Sequence, residues 1–560
     1  KLLFGTPHLI PLVLMQKTWW KEAIVYQIYP RSFKDTNGDG IGDLRGILEK
    51  LDYLASLGVD VVWLSPHFKS PNADNGYDIS NYLEIMDEFG TMEDFDAVLS
   101  GLHERGIRLI IDLVVNHSSD QHAWFQAART AKDNPYRDYY IWRPPVNGQA
   151  PNDWRSFFAG SVWDLDETTG EYYLHLFTKE QPDLNWENPK LRQEVYKAMR
   201  FWLDKGVDGF RMDVITFISK DQAFPPYPEG RFGDFTVYAN GPRVHEFLQE
   251  MNREVLSKYD CMTVGESFGV TAEQALSYVG ENRNELQTIY HFDHVTVRNP
   301  HTFVNGWQDY NLQELKAVFY KWDRALGDQG WNTMYFGNHD NPRVLSRFGD
   351  LVHHKASGKM IATMLLTQRA TPYLYQGDEI GMTNCPFHTI EEFNDVEVLN
   401  NYKEFVEEKG ADAAAYLANA NIIARDHART PMQWNVAPQA GFTTGTPWLK
   451  VNPNYTEINV EAALADPDSI FHYYRQLIAL RKANPALTYG ANEDVLPNHA
   501  QIWAYTRTFE GACFLVVVNF GKTTQDLPID TTGYTLCLCN LNEGSPHTLA
   551  PYESRIYQRS

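Results

Sequence analysis

Three acidic residues close short apolar runs along the chain: Asp213 in GFRMDV, Glu266 in MTVGES and Asp340 in GNHDNPR. A pair of carboxyls is the minimum equipment for cleaving a glycosidic bond. One must stay ionised to attack the anomeric carbon, and the other must hold a proton for the leaving oxygen. Arg211 stands two residues before Asp213, so on a strand their side chains share a face. A fixed positive charge there is expected to keep Asp213 ionised. Glu266 has no basic neighbour in its own run, which suits a carboxyl whose pKa must rise. Capping of the following helices is the competing reading of these acids, and spacing by itself favours neither.

A second pattern is DTNGDGIGD, residues 35–43. Asp35, Asn37 and Asp39 alternate, Gly40 permits a sharp turn, Ile41 offers its carbonyl and Asp43 follows. This order mirrors the first nine positions of a calcium loop, with oxygen donors throughout. Gly46 replaces the usual twelfth-position Glu, so a helix–loop–helix hand is not expected. An Asx-rich turn capping the helix from Leu44 is the alternative.

Residues so far apart need a scaffold that gathers strand ends. The runs at 24–29, 59–66, 108–117, 207–213, 262–266, 333–340 and 373–379 are mostly continuous and apolar, as in parallel strands buried on both faces. Helix-like stretches lie between most of them, at 44–57, 92–105 and 191–205. Strand–helix units repeated over most of the chain predict an α/β fold, a (β/α)₈ TIM barrel whose strand C-termini carry the site. About seventy residues after His117 are rich in Trp, Tyr, Asn and Pro and read as a loop-rich domain inserted after strand 3. From 487 onward short β-like runs predict an antiparallel β-sandwich. The expected division is a barrel at 15–117 and 187–486, an insertion at 118–186 and the β domain at 487–560. Residues 1–14 read as an upstream extension, with the native chain opening near Met15.

Composition narrows the partners. Lys and Arg number 49 against 72 Asp and Glu, a net charge of −23 over 560 residues. Such acidity repels phosphate backbones and anionic membranes. No apolar run is long enough to span a bilayer. The five cysteines are scattered and show no metal spacing, which points to a reducing compartment. The aromatic share of 14 % is high and suits either a large core or a sugar cleft.

DLVVNH (112–117), GFRMDV (209–214), VGE (264–266) and NHD (338–340) resemble, in order, the four signature regions of glycoside hydrolase family 13, the α-amylase family. WWKEAIVYQIYPRSF (19–33) and QPDLNWENP (181–189) resemble its oligo-1,6-glucosidase branch. The likeness runs from about Trp19 into the C-terminal domain. It implies a retaining double displacement with Asp213 as nucleophile, Glu266 as acid and then base, and Asp340 as transition-state stabiliser. The two working carboxyls should then lie about 5–5.5 Å apart. The resemblance also implies that His117 and His339 bind hydroxyls of the sugar in the −1 subsite, and that Phe177 lines the glucose pocket. Tyr77 and Asp74 in DNGYD correspond to a stacking aromatic and to the acid that grips the 4-hydroxyl of a terminal glucose. Gln181 and Arg211 join this substrate-binding set, as does Arg429, preferred over Arg425 in RDHARTP. A pocket closed at the 4-hydroxyl makes the enzyme exo-acting. Related oligo-1,6-glucosidases carry a divalent ion in the loop at 35–43, so a structural Ca²⁺ held by Asp35, Asn37, Asp39, Ile41 and Asp43 is expected, with no organic cofactor.

Within the family, Val214 and QPDLN resemble enzymes that favour α-1,6 bonds. LTQRATPYLYQG (366–377) and LKVNPNY (449–455) resemble sucrose isomerases, but the arginine-rich loop of those enzymes is replaced by HFDHVTVRNPH (291–301), with Arg298 alone. Trehalose-6-phosphate hydrolases are also similar, although their phosphate would want more basic residues near the cleft. Non-catalytic transporter heavy chains lack the carboxylate triad present here. The expectation is an exo-α-glucosidase for short α-1,6-linked oligosaccharides, extending to α-1,4 or sucrose-type bonds. Sucrose isomerisation and trehalose-6-phosphate hydrolysis are the alternatives. The partner is a small sugar, with no nucleic acid or membrane. A monomer in the cytoplasm is expected, or in the periplasm if the N-terminal segment is the remnant of a signal.

Overall fold

The computed structural model describes residues 17–298, 303–304, 308–541 and 545–559. The extension expected at 1–14 lies outside them. Eight parallel strands form the central sheet: β1 (Val25–Ile28), β2 (Val61–Leu64), β3 (Arg108–Leu113), β4 (Gly209–Met212), β5 (Met262–Glu266), β6 (Thr288–Tyr290), β7 (Thr333–Met334) and β8 (Thr371–Tyr375). Their order is β6-β5-β4-β3-β2-β1-β8-β7. A parallel bridge from Ile289 to Asn332 brings β6 back to β7 and closes the ring.

Six of these strands fall within the apolar runs, and β8 begins two residues ahead of the last run. β6 escaped notice because three residues, TIY, are too few to show a pattern. Alternation along the strands sorts two packing layers. Val25, Val61, Trp63, Ile110, Met262, Val264, Tyr290 and Tyr373 pack with one another inside the barrel. Their neighbours Tyr26, Val62, Ile111 and Phe210 pack outward with helical residues such as Leu54, Leu99 and Leu203. Gly209 shows why its motif opens on glycine. Its φ is 149°, and a Cβ there would fall 1.9 Å from the Met262 carbonyl oxygen of β5.

The helix predicted over 92–105 is Met92–Glu104, started by a capping box between Thr91 and Asp94. That predicted over 191–205 is Pro189–Lys205, with Asn188 as N-cap, Pro189 in the first turn and Gly206 as a left-handed C-cap. The stretch 44–57 is two helices, Leu44–Leu48 and Leu51–Leu57, not one. Between β3 and Pro189 the chain forms a small antiparallel sheet of Trp142–Arg143, Glu171–Leu174 and Trp163–Asp166. Bridges from His117 to Asp183 and from Tyr140 to Leu184 fasten this insertion to the end of β3.

Near the C-terminus, Ala491–Asp494, Ile502–Phe509, Ala512–Asn519, Ser554–Arg559 and Tyr534–Cys539 make one five-stranded antiparallel sheet in that order. A two-stranded ribbon, Gln525–Asp526 with Thr548–Leu549, packs Leu549 against Ile502, Leu515 and Val517. The second layer of this β domain is therefore only a ribbon. Among the described residues no helix is long and apolar enough to cross a membrane.

Candidate active site

The C-terminal ends of β3, β4, β5 and β6 converge on one buried guanidinium. Arg211 donates to Asp112 Oδ1 and to Asp213 Oδ1, both at 2.7 Å, and lies 2.8 Å from Glu266 Oε2. It also donates to the Tyr290 hydroxyl at 2.9 Å from Nε. The Val214 N–H donates to Glu266 Oε2 at 2.9 Å. The expectation that Glu266 stands clear of positive charge is corrected here: tertiary packing brings Arg211 to it from the neighbouring strand.

The electrostatics follow from dryness. Burial pushes Asp213 and Glu266 each up to about 7, against the pull of Arg211. Asp112 rises to about 6 for the same reason. Arg211 therefore does not hold Asp213 low, as its sequence position suggested. One cation is divided among three carboxyls with almost no water. Val214, directly after Asp213, has φ 33° and ψ 40°. A left-handed β-branched residue is strained, and here the strain aims its N–H at Glu266.

Asp340 sits in the opposite surroundings. Its Oδ1 accepts from Arg429 at 2.9 Å and Arg425 at 3.2 Å, and its Oδ2 lies 3.0 Å from His339 Nε2. Burial opposes ionisation, but His339, Arg425 and Arg429 together hold Asp340 well below the usual carboxylate range. His339 is oriented by Gln27, whose Nε2 is 2.8 Å from Nδ1, and it stacks on Tyr77 with ring planes 4° apart. The Tyr77 hydroxyl lies 2.6 Å from His339 Nε2.

The rest of the predicted sugar-binding set lines the same pocket. Gln181 Nε2 donates to Asp74 Oδ2 at 3.1 Å and lies 3.2 Å from His117 Nε2. Phe177 packs on His117 with centroids 5.1 Å apart. Burial lowers His117 to about 4, so it is neutral at physiological pH. Asp74 is 5 % exposed, and its Oδ1 has no hydrogen-bond partner among the described residues. Burial raises its pKa to about 7, against the pull of Arg425 and Arg429. Both candidate arginines reach the site. Arg425 is the one near Asp74, at 3.6 Å, whereas Arg429 serves Asp340 and the His339 carbonyl.

Sequence reasoning missed Asp112, Tyr290, Gln27 and Asp395 as site residues, and ranked Arg425 behind Arg429. Asp112 heads the DLVVNH motif and could have been found by asking what else neutralises Arg211. Asp395 and Tyr290 carry no local signal; they matter only through what packs on them, Arg425 and Arg211 respectively.

The loop at 35–43 is a run of Asx turns. Asp35 Oδ1 accepts from the Asn37 and Gly38 N–H groups, Asn37 Oδ1 from Asp39, and Asp39 Oδ1 from Ile41. Asp43 caps the helix Leu44–Leu48 by accepting from Gly46 at 2.7 Å. Among the described residues no group of three or more His, Cys, Asp or Glu is arranged to hold a metal ion. A cation here would depend on the Asn37 amide and the Ile41 carbonyl as well as the acids.

Comparison with known proteins places this geometry in a family. The α-amylase catalytic domain matches residues 27–490. Oligo-1,6-glucosidase of Parageobacillus thermoglucosidasius is 57 % identical over 97 % of this chain and 99 % of its own length. The oligo-1,6-glucosidase of Bacillus cereus is 53 % identical over 97 % of this chain and all of its own. A crystal structure of a trehalulose synthase variant in complex with Tris superposes with a TM-score of 0.94 at 47 % identity, covering 97 % of this chain and 100 % of that one. The barrel with its carboxyl-bearing strand ends, the four ordered motifs and these relatives agree: the chain belongs to the α-amylase family and is a glycoside hydrolase.

Proposed function

We propose that the protein is a retaining exo-α-glucosidase that removes terminal glucose from short α-1,6-linked oligosaccharides. The observation that carries this reading is that Asp213 and Glu266 are both bonded to one guanidinium. Two carboxyls held on one guanidinium suit the short spacing of a retaining pair rather than the about 6.5–9.5 Å that an inverting pair keeps for its water. Burial raises both carboxyls to about 7, so at neutral pH each is poised between its two forms.

The Asp213 carboxylate attacks the anomeric carbon while Glu266 delivers its proton to the departing glycosidic oxygen. The C–O bond breaks and glucose is left esterified to Asp213. Glu266, now ionised, takes a proton from water, and the hydroxide attacks the same carbon and frees Asp213. Asp340, already ionised and aimed by His339 and Arg429, accepts hydrogen bonds from ring hydroxyls as positive charge develops. Asp74 Oδ1, free and buried, is the acceptor for the 4-hydroxyl of a terminal glucose, and the pocket closed around it makes the action exo.

Sucrose isomerisation is the second reading, favoured by the likeness to the trehalulose synthase. One observation weighs against it. Arg298, the single arginine of the 291–301 segment, forms a two-point pair with Glu314 at 2.6 and 2.7 Å instead of being free for a substrate. Incubation with isomaltose and with sucrose, followed by product chromatography, separates the two. Glucose from isomaltose, and glucose plus fructose from any sucrose consumed, supports hydrolysis; isomaltulose or trehalulose from sucrose overturns it.

We further propose a structural Ca²⁺ in the loop of Asp35, Asn37, Asp39, Ile41 and Asp43, whose oxygen donors suit a hard cation. Adding Ca²⁺ to chelator-treated protein should raise Tm, and Asp39→Ala should abolish that rise. All five cysteines are free, which supports a reducing compartment such as the cytoplasm.

A further inference from the structure

Two irregular pieces of backbone meet across the rim of the pocket. On the insertion, Ala159 and Gly160 are both left-handed, with φ of 73° and 81°. On the rim after β8, Lys403–Glu408 is a π-helix, a rare form that often marks functional sites. They are joined by an ion pair. Arg155 Nη2 contacts both oxygens of Glu404, at 2.5 and 2.7 Å. The Gly160 N–H donates to the same carboxylate at 3.2 Å, and Lys409 Nζ lies 2.5 Å from it. Asn400, one turn before the π-helix, donates to the Phe158 carbonyl at 3.1 Å.

The clamped turn carries Phe158, which is 6 % exposed. One neighbour of its ring is Phe177, which rests on His117. Another is Arg425, whose guanidinium lies 4.8 Å from the ring centroid. Arg425 in turn stands 3.6 Å from Asp74 Oδ1, too far for a hydrogen bond and so dependent on what holds the arginine in place. Asp395 fixes one edge of that guanidinium at 2.5 Å, and Phe158 covers its face and keeps water away.

We propose that Arg155 and Glu404 form a latch across the rim that, through Phe158 and Arg425, positions Asp74 to recognise the C4 hydroxyl of the terminal sugar. Both are positioning residues, and neither touches substrate. The inference rests on the reading of Asp74 given above. It predicts a defect that is larger for the glucoside than for its C4 epimer, which a purely structural tie between the two rims would not produce.

The test compares kcat/KM for 4-nitrophenyl α-glucoside and for its C4 epimer, the α-galactoside, in the full-length protein. The variants are Arg155→Met, Glu404→Gln, Arg155→Lys and Asp74→Ala, each with its Tm. Arg155→Met and Glu404→Gln should each narrow the glucoside preference by about tenfold, mainly through KM for the glucoside, the size of one lost charge-assisted contact. Arg155→Lys should recover part of it, and Asp74→Ala should narrow it furthest. If Asp74→Ala narrows the preference while both latch variants keep it, the latch is overturned and the reading of Asp74 stands. An equal fall on both epimers marks a structural tie and overturns the latch too. If Asp74→Ala leaves the preference unchanged, the reading of Asp74 falls, and this inference with it. Because the two partners lie on separate elements, one poorly folded variant leaves the other to decide.

Discussion

The pocket contains two carboxylate clusters of similar composition and opposite behaviour. In the inner one, Asp112, Asp213 and Glu266 divide a single guanidinium, and burial pushes all three pKa values up. In the outer one, Arg425 and Arg429 both face Asp340 and Asp395, which are held below their ordinary range despite burial, while Asp74 and Glu397, each reached by Arg425 alone, rise to about 7. The Asp340 side chain is also 26 % exposed, against 9 % for Asp213 and 8 % for Glu266. How many cations each carboxyl touches, set by packing, decides which acids can carry a proton at neutral pH. The inner cluster is built to exchange a proton with substrate, and Asp340 in the outer one to remain a fixed negative charge.

The largest effect should come from removing the nucleophile. Asp213→Asn is expected to lower kcat by about 10⁴-fold or more, whatever the leaving group. The same change should stabilise the fold. The folded pKa of Asp213 lies above its unfolded value, so its contribution to stability is present at low pH and is lost as pH rises through about 7. The variant should therefore melt higher than the wild type, by more at pH 8 than at pH 5, in a thermal denaturation series. Equal or lower Tm at pH 8 would show that the inner cluster is not strained by its own charge.

Glu266→Gln should cost about 10²–10⁴-fold on isomaltose, the range for a lost general acid. A nitrophenyl leaving group needs no proton, so the glycosylation step should be partly rescued on 4-nitrophenyl α-glucoside. Normal isomaltose turnover would remove Glu266 from its role. Next in size is the pH profile of kcat/KM. The raised pKa values of Asp213 and Glu266 predict a bell centred near 7, with activity falling below as Asp213 gains a proton and above as Glu266 loses one. The alkaline limb should vanish in Glu266→Gln when assayed on the nitrophenyl glucoside. Asp340 should contribute no limb, because the outer cluster keeps it ionised throughout.

The smallest effect concerns Val214. Val214→Gly relieves a left-handed conformation but uncovers a buried side chain, so stability should change by no more than about 1 kcal/mol. If the strained N–H helps to set Glu266, kcat should fall modestly on isomaltose and maltose alike. A change in the ratio of the two sugars with kcat intact would make Val214 a linkage selector instead.

The chemistry-bearing acids, their order and the barrel that gathers them were readable along the chain. A doubly covered parallel strand must be a nearly unbroken apolar run, and its C-terminal end is the first place where a polar residue fits. Asp213, Glu266 and Asp340 stand at or just beyond such ends, and His117 follows another. Local rules also fixed the helix starts at Thr91 and Asn188 and the glycine at 209. Tertiary structure alone decided how charge is shared. Arg211 is two residues from Asp213 in the chain, yet it serves Asp112 from β3 and Glu266 from β5 equally well, because neighbouring parallel strands bring their ends within a hydrogen bond of one another. The latch across the rim and the approach of Arg425 to Asp74 likewise join residues hundreds of positions apart. Side-chain type sets what a group can do. Burial and the count of opposite charges around it, which only the folded chain supplies, set the protonation state in which it does it.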